Sequence, residues 1–243
     1  MERDGLDTAL IEAMVIDDEL AAADAFLRTA IRLTNRMNFL GRDEYVLTAL
    51  LAAGMERMLK LTLGFIRVDV DCTEWPTAEL KSLGHKIVDL DVRCRELIKE
   101  RVGEAIDEAE VAALATNLEN DKYMPSVLAL VQDYAQGGRY FNLDYLGQPN
   151  MPRASPRQQW GRLLAQVHQD GPHAGGPGYY PPSSSTALIG GISSAGGINW
   201  RLTASIVAWR NYYLTTWEHG VCGDRAQRLA QEIAWISPDS TPD

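Results

Sequence analysis

A carboxylate, an ammonium and an imidazole stand at spacings that could form a proton-transfer group. The stretch Gly54-Met55-Glu56-Arg57-Met58-Leu59-Lys60-Leu61 carries Glu56 and Lys60 four residues apart. Glu on the N-terminal side is the favourable order for an ion pair on one helix face. The stretch lies in the most apolar helical run of the chain, where an unpartnered charge would be costly. A second stretch, Leu83-Gly84-His85-Lys86-Ile87-Val88-Asp89-Leu90, brings His85 to the start of the next helix. Histidine titrates near neutral pH and is the commonest general acid–base. Two readings follow: an ordinary Glu56–Lys60 salt bridge with a structural His85, or a polar pocket in which Glu56 orients a neighbouring side chain.

A third segment, Gly137-Gly138-Arg139-Tyr140-Phe141-Asn142-Leu143-Asp144-Tyr145, is a turn with a cation, two phenols and an amide. Arg139 either closes a carboxylate pair or contacts a phosphate, for which a planar guanidinium is suited. Ser193-Ser194-Ala195-Gly196-Gly197-Ile198-Asn199 is similar to the serine segment of hormone-sensitive-lipase-like esterases. A nucleophile elbow needs a strand before it and an acid between Ser and His. Ile192 stands where Gly belongs, and only Glu218 lies between Ser194 and His219. The Gly-rich stretch is no P-loop, because Gly-Lys-Ser/Thr is missing. His85, His168, His173 and His219 show no ligand spacing, so no metal site and no cofactor are expected. Asp69 and Asp71 could hold a hard cation, but a solvated acidic turn is the plainer reading.

The elements that must position these residues are helical. Residues 6–39 repeat apolar side chains at steps of three, four and seven, which predicts one long amphipathic helix or two in series. Residues 43–66 are apolar nearly all round, as expected of a central bundle helix. Residues 85–102 predict a helix with Ile87, Leu90, Val92, Leu97 and Ile98 inward. Residues 106–118 and 125–136 follow, the latter stopped at Gly137-Gly138. Ser155-Pro156 predicts a capped helix to about Gln169. Residues 171–199 are rich in Gly, Pro and Ser and are expected to form a long flexible loop. A Trp/Tyr-rich helix over 200–219 and a last one from Asp224 to about Trp235 close the chain. No alternating strand run is present. The expectation is an all-α protein: an up-and-down helical bundle over 1–148 and a C-terminal helical extension over 149–243.

Composition narrows the function classes. The 243 residues are 46% apolar and 23% charged, as in a globular chain. Three scattered cysteines without C-x-x-C suggest reduced thiols and a cytoplasmic location. No stretch of 18 uncharged apolar residues is present, so no membrane span is expected. Arginine outnumbers lysine 18 to 5 and alanine is abundant, a weak sign of a GC-rich bacterial source. Net charge is −10. Residues 150–243 hold seven Arg and six acids, which leaves −11 on the first 149 residues. Broad, sequence-blind nucleic-acid binding wants a basic face, so only a small local basic site is compatible with this balance. Trp200, Trp209, Tyr212, Tyr213 and Trp217 in the C-terminal helices are a candidate docking surface for a protein partner, since aromatic residues are enriched at interfaces.

The A-x-G-x-E-R-x-L-K-like helix, the L-G-H-K-hydrophobic helix and the later G-R-Y together resemble the HEPN superfamily (higher eukaryotes and prokaryotes nucleotide-binding), in particular its abortive-infection-like bacterial branches. The resemblance covers about residues 10–148. It implies a four- or five-helix bundle, a homodimer, and metal-independent RNA cleavage in a toxin or phage-defence setting. The family's catalytic mark is an Arg, then four to six intervening residues, then His. Within 10–148 that mark is missing. The only match is Arg162-Leu-Leu-Ala-Gln-Val-His168. Its six-residue step leaves the two side chains about 120° apart on a straight helix. The resemblance therefore implies RNA or a nucleotide as ligand, with His85 or His168 as acid–base and Arg139 or Arg162 on the phosphate. The alternative is a non-catalytic dimeric interaction module.

Overall fold

The computed structural model describes residues 2–36, 43–71, 74–147, 153–170 and 190–233. Among these residues ten α-helices run in the order α1 (Glu2–Arg36), α2 (Glu44–Asp71), α3 (Thr77–Leu83), α4 (Ile87–Arg101), α5 (Glu108–Glu119), α6 (Met124–Gln136), α7 (Phe141–Gly147), α8 (Pro156–Gln169), α9 (Gly190–Glu218) and α10 (Asp224–Ala230). There is no strand among the described residues, and the protein is all-α. No helix among them is long and apolar enough to cross a membrane.

The two longest N-terminal helices form an antiparallel hairpin. Gly54 of α2 meets Leu27 of α1, and Arg57 pairs with Glu19 at 3.0 Å. A Cβ at Gly54 would stand 2.8 Å from the Leu27 side chain, so glycine is what lets the two helices close. Gly64 has the same role one face round: a Cβ there would lie 2.3 Å from the Trp75 ring. Trp75 sits edge-on to Phe65, at 5.8 Å between centroids, and anchors the chain as it leaves α2. Short α3 then carries the chain back until His85 is level with Glu56. From there α4 runs parallel to the second half of α2, with Cys94 against the Leu59 carbonyl and Arg101 on Asp69 at 2.6 Å.

Buried apolar side chains from Ile16 to Ile233 make one contiguous cluster. Its centre is shared by α2 and α9. Residues 209–217 of α9 are all buried, which is why its sequence shows no polar face. Two indoles fix α9 and α8 to α2. Trp217 Nε1 donates to the Thr62 hydroxyl at 3.0 Å, and Trp160 Nε1 to the Thr48 hydroxyl at 2.8 Å. Each threonine passes its own proton to a carbonyl one turn back in α2, so these two indoles and two hydroxyls are matched.

Several expectations need correction. α2 continues to Asp71, so Asp69 is a helical residue with an Arg101 partner and not part of a solvated link. The helix holding the aromatic run starts at Gly190, so residues 190–199 are helical and not loop. Glycine costs about 1 kcal/mol per helix position relative to alanine, a handicap that an extension of a firmly anchored helix can carry. The remainder of the expected loop, 171–189, lies outside the described residues, as does the end of the last expected helix at Trp235. Val92 is 47% exposed; the inward face of α4 is Ile87, Leu90, Asp91, Cys94, Leu97 and Ile98. Trp209, Tyr212, Tyr213 and Trp217 are buried, so these four aromatics are core and do not offer a docking surface, while Trp200 is partly exposed. Burying them removes a large apolar area from water, which outweighs the value of leaving it exposed for a partner.

Candidate functional site

Glu56 sits midway along α2, and Lys60 stands one turn further on. Lys60 Nζ bonds Oε1 of Glu56 at 2.7 Å. His85 lies in the turn between α3 and α4, where Gly84 takes φ +53°, a backbone geometry suited to glycine. Buried Leu80 and Ile87 hold the turn on both sides. Val88 N–H donates to Gln132 Oε1 of α6 at 2.9 Å, which pins the start of α4. The imidazole is thereby brought to Glu56, with Nδ1 2.8 Å from Oε2. The ionised carboxylate accepts from both neighbours: Lys60 on one oxygen and His85 on the other.

Burial alone would raise the Glu56 carboxyl, but hydrogen bonds and charge from Lys60 and His85 outweigh it and hold the carboxyl below its ordinary range. Glu56 is therefore a carboxylate at neutral pH. It accepts a hydrogen bond from Nδ1–H of His85, so Nε2 is the ring nitrogen turned away from the carboxylate. The His85 side chain is half exposed while Glu56 is mostly covered. A carboxylate behind an accessible imidazole is an arrangement that can move a proton. Lys81 and Lys86 are exposed on either side of His85 in the chain. Lys60 reaches the same carboxylate from α2.

The other candidates lie apart from this pair. Arg139 follows α6 in a short 3₁₀ turn, exposed, and its Nη2 donates to the Ala135 carbonyl at 2.9 Å. It caps the last turn of α6 and does not close a carboxylate pair. Gln132 marks where α6 meets the start of α4, and Arg139 is seven residues beyond it, roughly 10 Å along the axis. Tyr45 donates to Asn142 at 3.1 Å beside this turn. Arg162 and His168 are both exposed on uninterrupted α8, and nothing in the helix bends them together. Ser194 falls within α9, so the strand-turn-helix of an esterase elbow is not formed. Among the described residues no three His, Cys, Asp or Glu side chains gather as a metal-holding group.

Two polar clusters escaped the sequence reading. Asp91 has no solvent exposure and accepts from Trp209 Nε1 at 2.7 Å, from the Tyr213 hydroxyl at 2.8 Å and from Arg95. Its position on the 87, 90/91, 94, 97/98 face was the available signal. Arg210, 1% exposed, bonds Asp24 of α1 at 2.6 Å; a lone cation inside an aromatic run was its signal. A second histidine–carboxylate pair joins His219 and Glu110 at 2.8 Å. A cleft of about 430 Å³ runs beside α1, lined by Asp17, Ala21, Ala25 and Ile233 among others, away from all five predicted site residues. No protein-family model, no curated protein and no solved structure matches this chain.

Proposed function

We propose that the protein acts on RNA without a metal ion, as a HEPN-like helical protein of a bacterial defence or toxin-type system, with His85 as the acid–base. The observation that carries this reading is the 2.8 Å contact between His85 Nδ1 and Glu56. It joins the two motifs on which the resemblance rests, and it prepares Nε2 to accept a proton. In the proposed step Nε2 takes the proton of a 2′-hydroxyl. The 2′-oxygen forms a bond to the adjacent phosphorus, the bond to the 5′-oxygen breaks, and the imidazolium returns the proton to that oxygen. Glu56 stabilises the imidazolium while it lasts. Lys60, which shares Glu56 with His85, and Lys86, its neighbour in the chain, are assigned the phosphate.

The test is cleavage of a labelled RNA, with chelator present, by the wild type, His85→Ala, Glu56→Gln and His168→Ala. Loss on the first two substitutions and full activity in the third is expected. Equal activity in all four proteins sinks the assignment. A second reading, a non-catalytic interaction module, is favoured by a different observation: Leu10, Ile11, Met14 and Val15 of α1 are 55–62% exposed.

A further inference from the structure

α1 carries two apolar faces. Ile16, Leu20, Ala23 and Leu27 point into the core. Leu10, Ile11, Met14 and Val15 form a compact patch over two turns, each more than half exposed. At 100° per residue the two sets are centred roughly 180° apart. The outer patch is therefore no spill-over of the core face. It is a separate surface on the opposite side of the helix, and adjoining large apolar side chains exposed together are a mark of an interaction site.

The surroundings of the patch are acidic. Residues 1–19 hold seven acids and one Arg, a net of −6 out of the protein's −10. Asp18 lies on the axis of the patch one turn further on, and Asp17 borders it; both are exposed. Glu12 and Glu19 stand on the other border, held by Arg225 at 2.8 Å and Arg57 at 3.0 Å. The same outer face of α1 continues through Ala21 and Ala25 into the cleft of about 430 Å³, which Ile233 closes on one side. Small side chains at a four-residue step allow a second helix to come close. From Leu10 to Ala25 the face is roughly 23 Å long, the length of about 15 helical residues.

We propose that this face docks an amphipathic helix of a different protein, one with an apolar stripe flanked by Lys and Arg. The apolar stripe covers Leu10, Ile11, Met14 and Val15, and the cations meet Asp17 and Asp18. Charge decides between this occupant and a second copy of the chain. Laid patch on patch in parallel, two copies bring Asp18 against Asp18, and in either direction they set a segment of net −6 over residues 1–19 against itself. Like charges meet either way, and such juxtaposition selects against self-association. This proposal stands apart from the His85 site and does not depend on it.

The probe is a fluorescein-labelled 15-residue Leu/Lys amphipathic peptide, with a Leu/Glu peptide of the same pattern as its counterpart. Binding is read by anisotropy against wild type, Leu10→Ser/Met14→Ser and Asp17→Asn/Asp18→Asn. All substitutions are at exposed positions, and far-UV circular dichroism checks that each variant is folded. The Leu/Lys peptide is expected to bind the wild type, about tenfold more weakly to each double variant, and the Leu/Glu peptide not to bind. Undiminished binding to Leu10→Ser/Met14→Ser overturns the proposal, since the peptide is then held by charge alone elsewhere. A wild-type dimer in light scattering that this double substitution dissolves also overturns it, because the second copy is then the occupant.

Discussion

Trp209 Nε1 donates to Oδ1 of Asp91 across 2.7 Å, although the two residues are 118 positions apart in the chain. This bond ties the central helix α9 to α4 inside the apolar core. Tyr213 donates to the same carboxylate oxygen, and Arg95 approaches the other from a partly exposed position. A buried carboxylate is tolerated only when its lone pairs are filled and its charge is opposed. Here two aromatic donors and one guanidinium do both. The aromatic run of α9 thus has a polar task inside the fold besides filling space.

Asp91→Ala should destabilise the protein by about 3–5 kcal/mol, the usual cost of removing one partner of a buried charge pair. It leaves the Trp209 donor without its acceptor and Tyr213 with only the Asp91 carbonyl at 3.3 Å. Asp91→Asn should cost less, because the amide oxygen can still accept from both rings. Urea unfolding followed by tryptophan fluorescence reads both values. A loss below about 1 kcal/mol for Asp91→Ala, the size of an ordinary net hydrogen bond, would contradict this role.

Glu56 predicts a pH dependence of stability. Its folded-state carboxyl lies below the ordinary 4.5, so the folded protein binds this proton more weakly than the unfolded chain does. The Glu56 contribution is fully present above about pH 4.5 and is lost as pH falls through the lowered folded value. The stability difference between wild type and Glu56→Gln should shrink as pH falls below about 4.5. Chemical denaturation of both proteins across this range measures it. A difference that grows on acidification would reverse the sign and remove the ionised Glu56 from the site.

The thiols of Cys94 and Cys222 should be unreactive in the native protein. Burial pushes Cys222 up to about 12, and pushes Cys94 well above the ordinary thiol range. The thiolate is the reactive form. In a Cys72→Ser background, a thiol reagent near neutral pH should label neither residue until denaturant is added. Labelling at the rate of free cysteine would show that the α2–α4–α9 core opens readily.

Much of the fold was legible because helices announce themselves locally. The cap at Ser155 with Pro156 gave the start of α8, and the structure adds a capping box through Gln158. Gly137 marked the end of α6. Glu56 and Lys60 were readable as a pair because four residues make one helical turn. Val92 was misplaced because apolar type was weighed above helical phase, which puts Asp91 inward instead. The aromatic run was open to two readings, since Trp and Tyr are enriched both in cores and at interfaces; nine consecutive buried residues decide for the core.

By itself, then, the sequence determined the helical class, most helix boundaries and the local Glu56–Lys60 pair, all of which depend on neighbours within a turn or two. Only the tertiary structure decided that His85, 29 positions away, completes that pair, and that Arg139 turns back onto its own helix. It also decided that Arg162 and His168 stay apart, and that α1 keeps an apolar patch on the side facing away from the core. These outcomes depend on how helices stack and how far the chain travels before returning. Such distances are set by packing at positions like Gly54 and Gly64, and no local pattern encodes them.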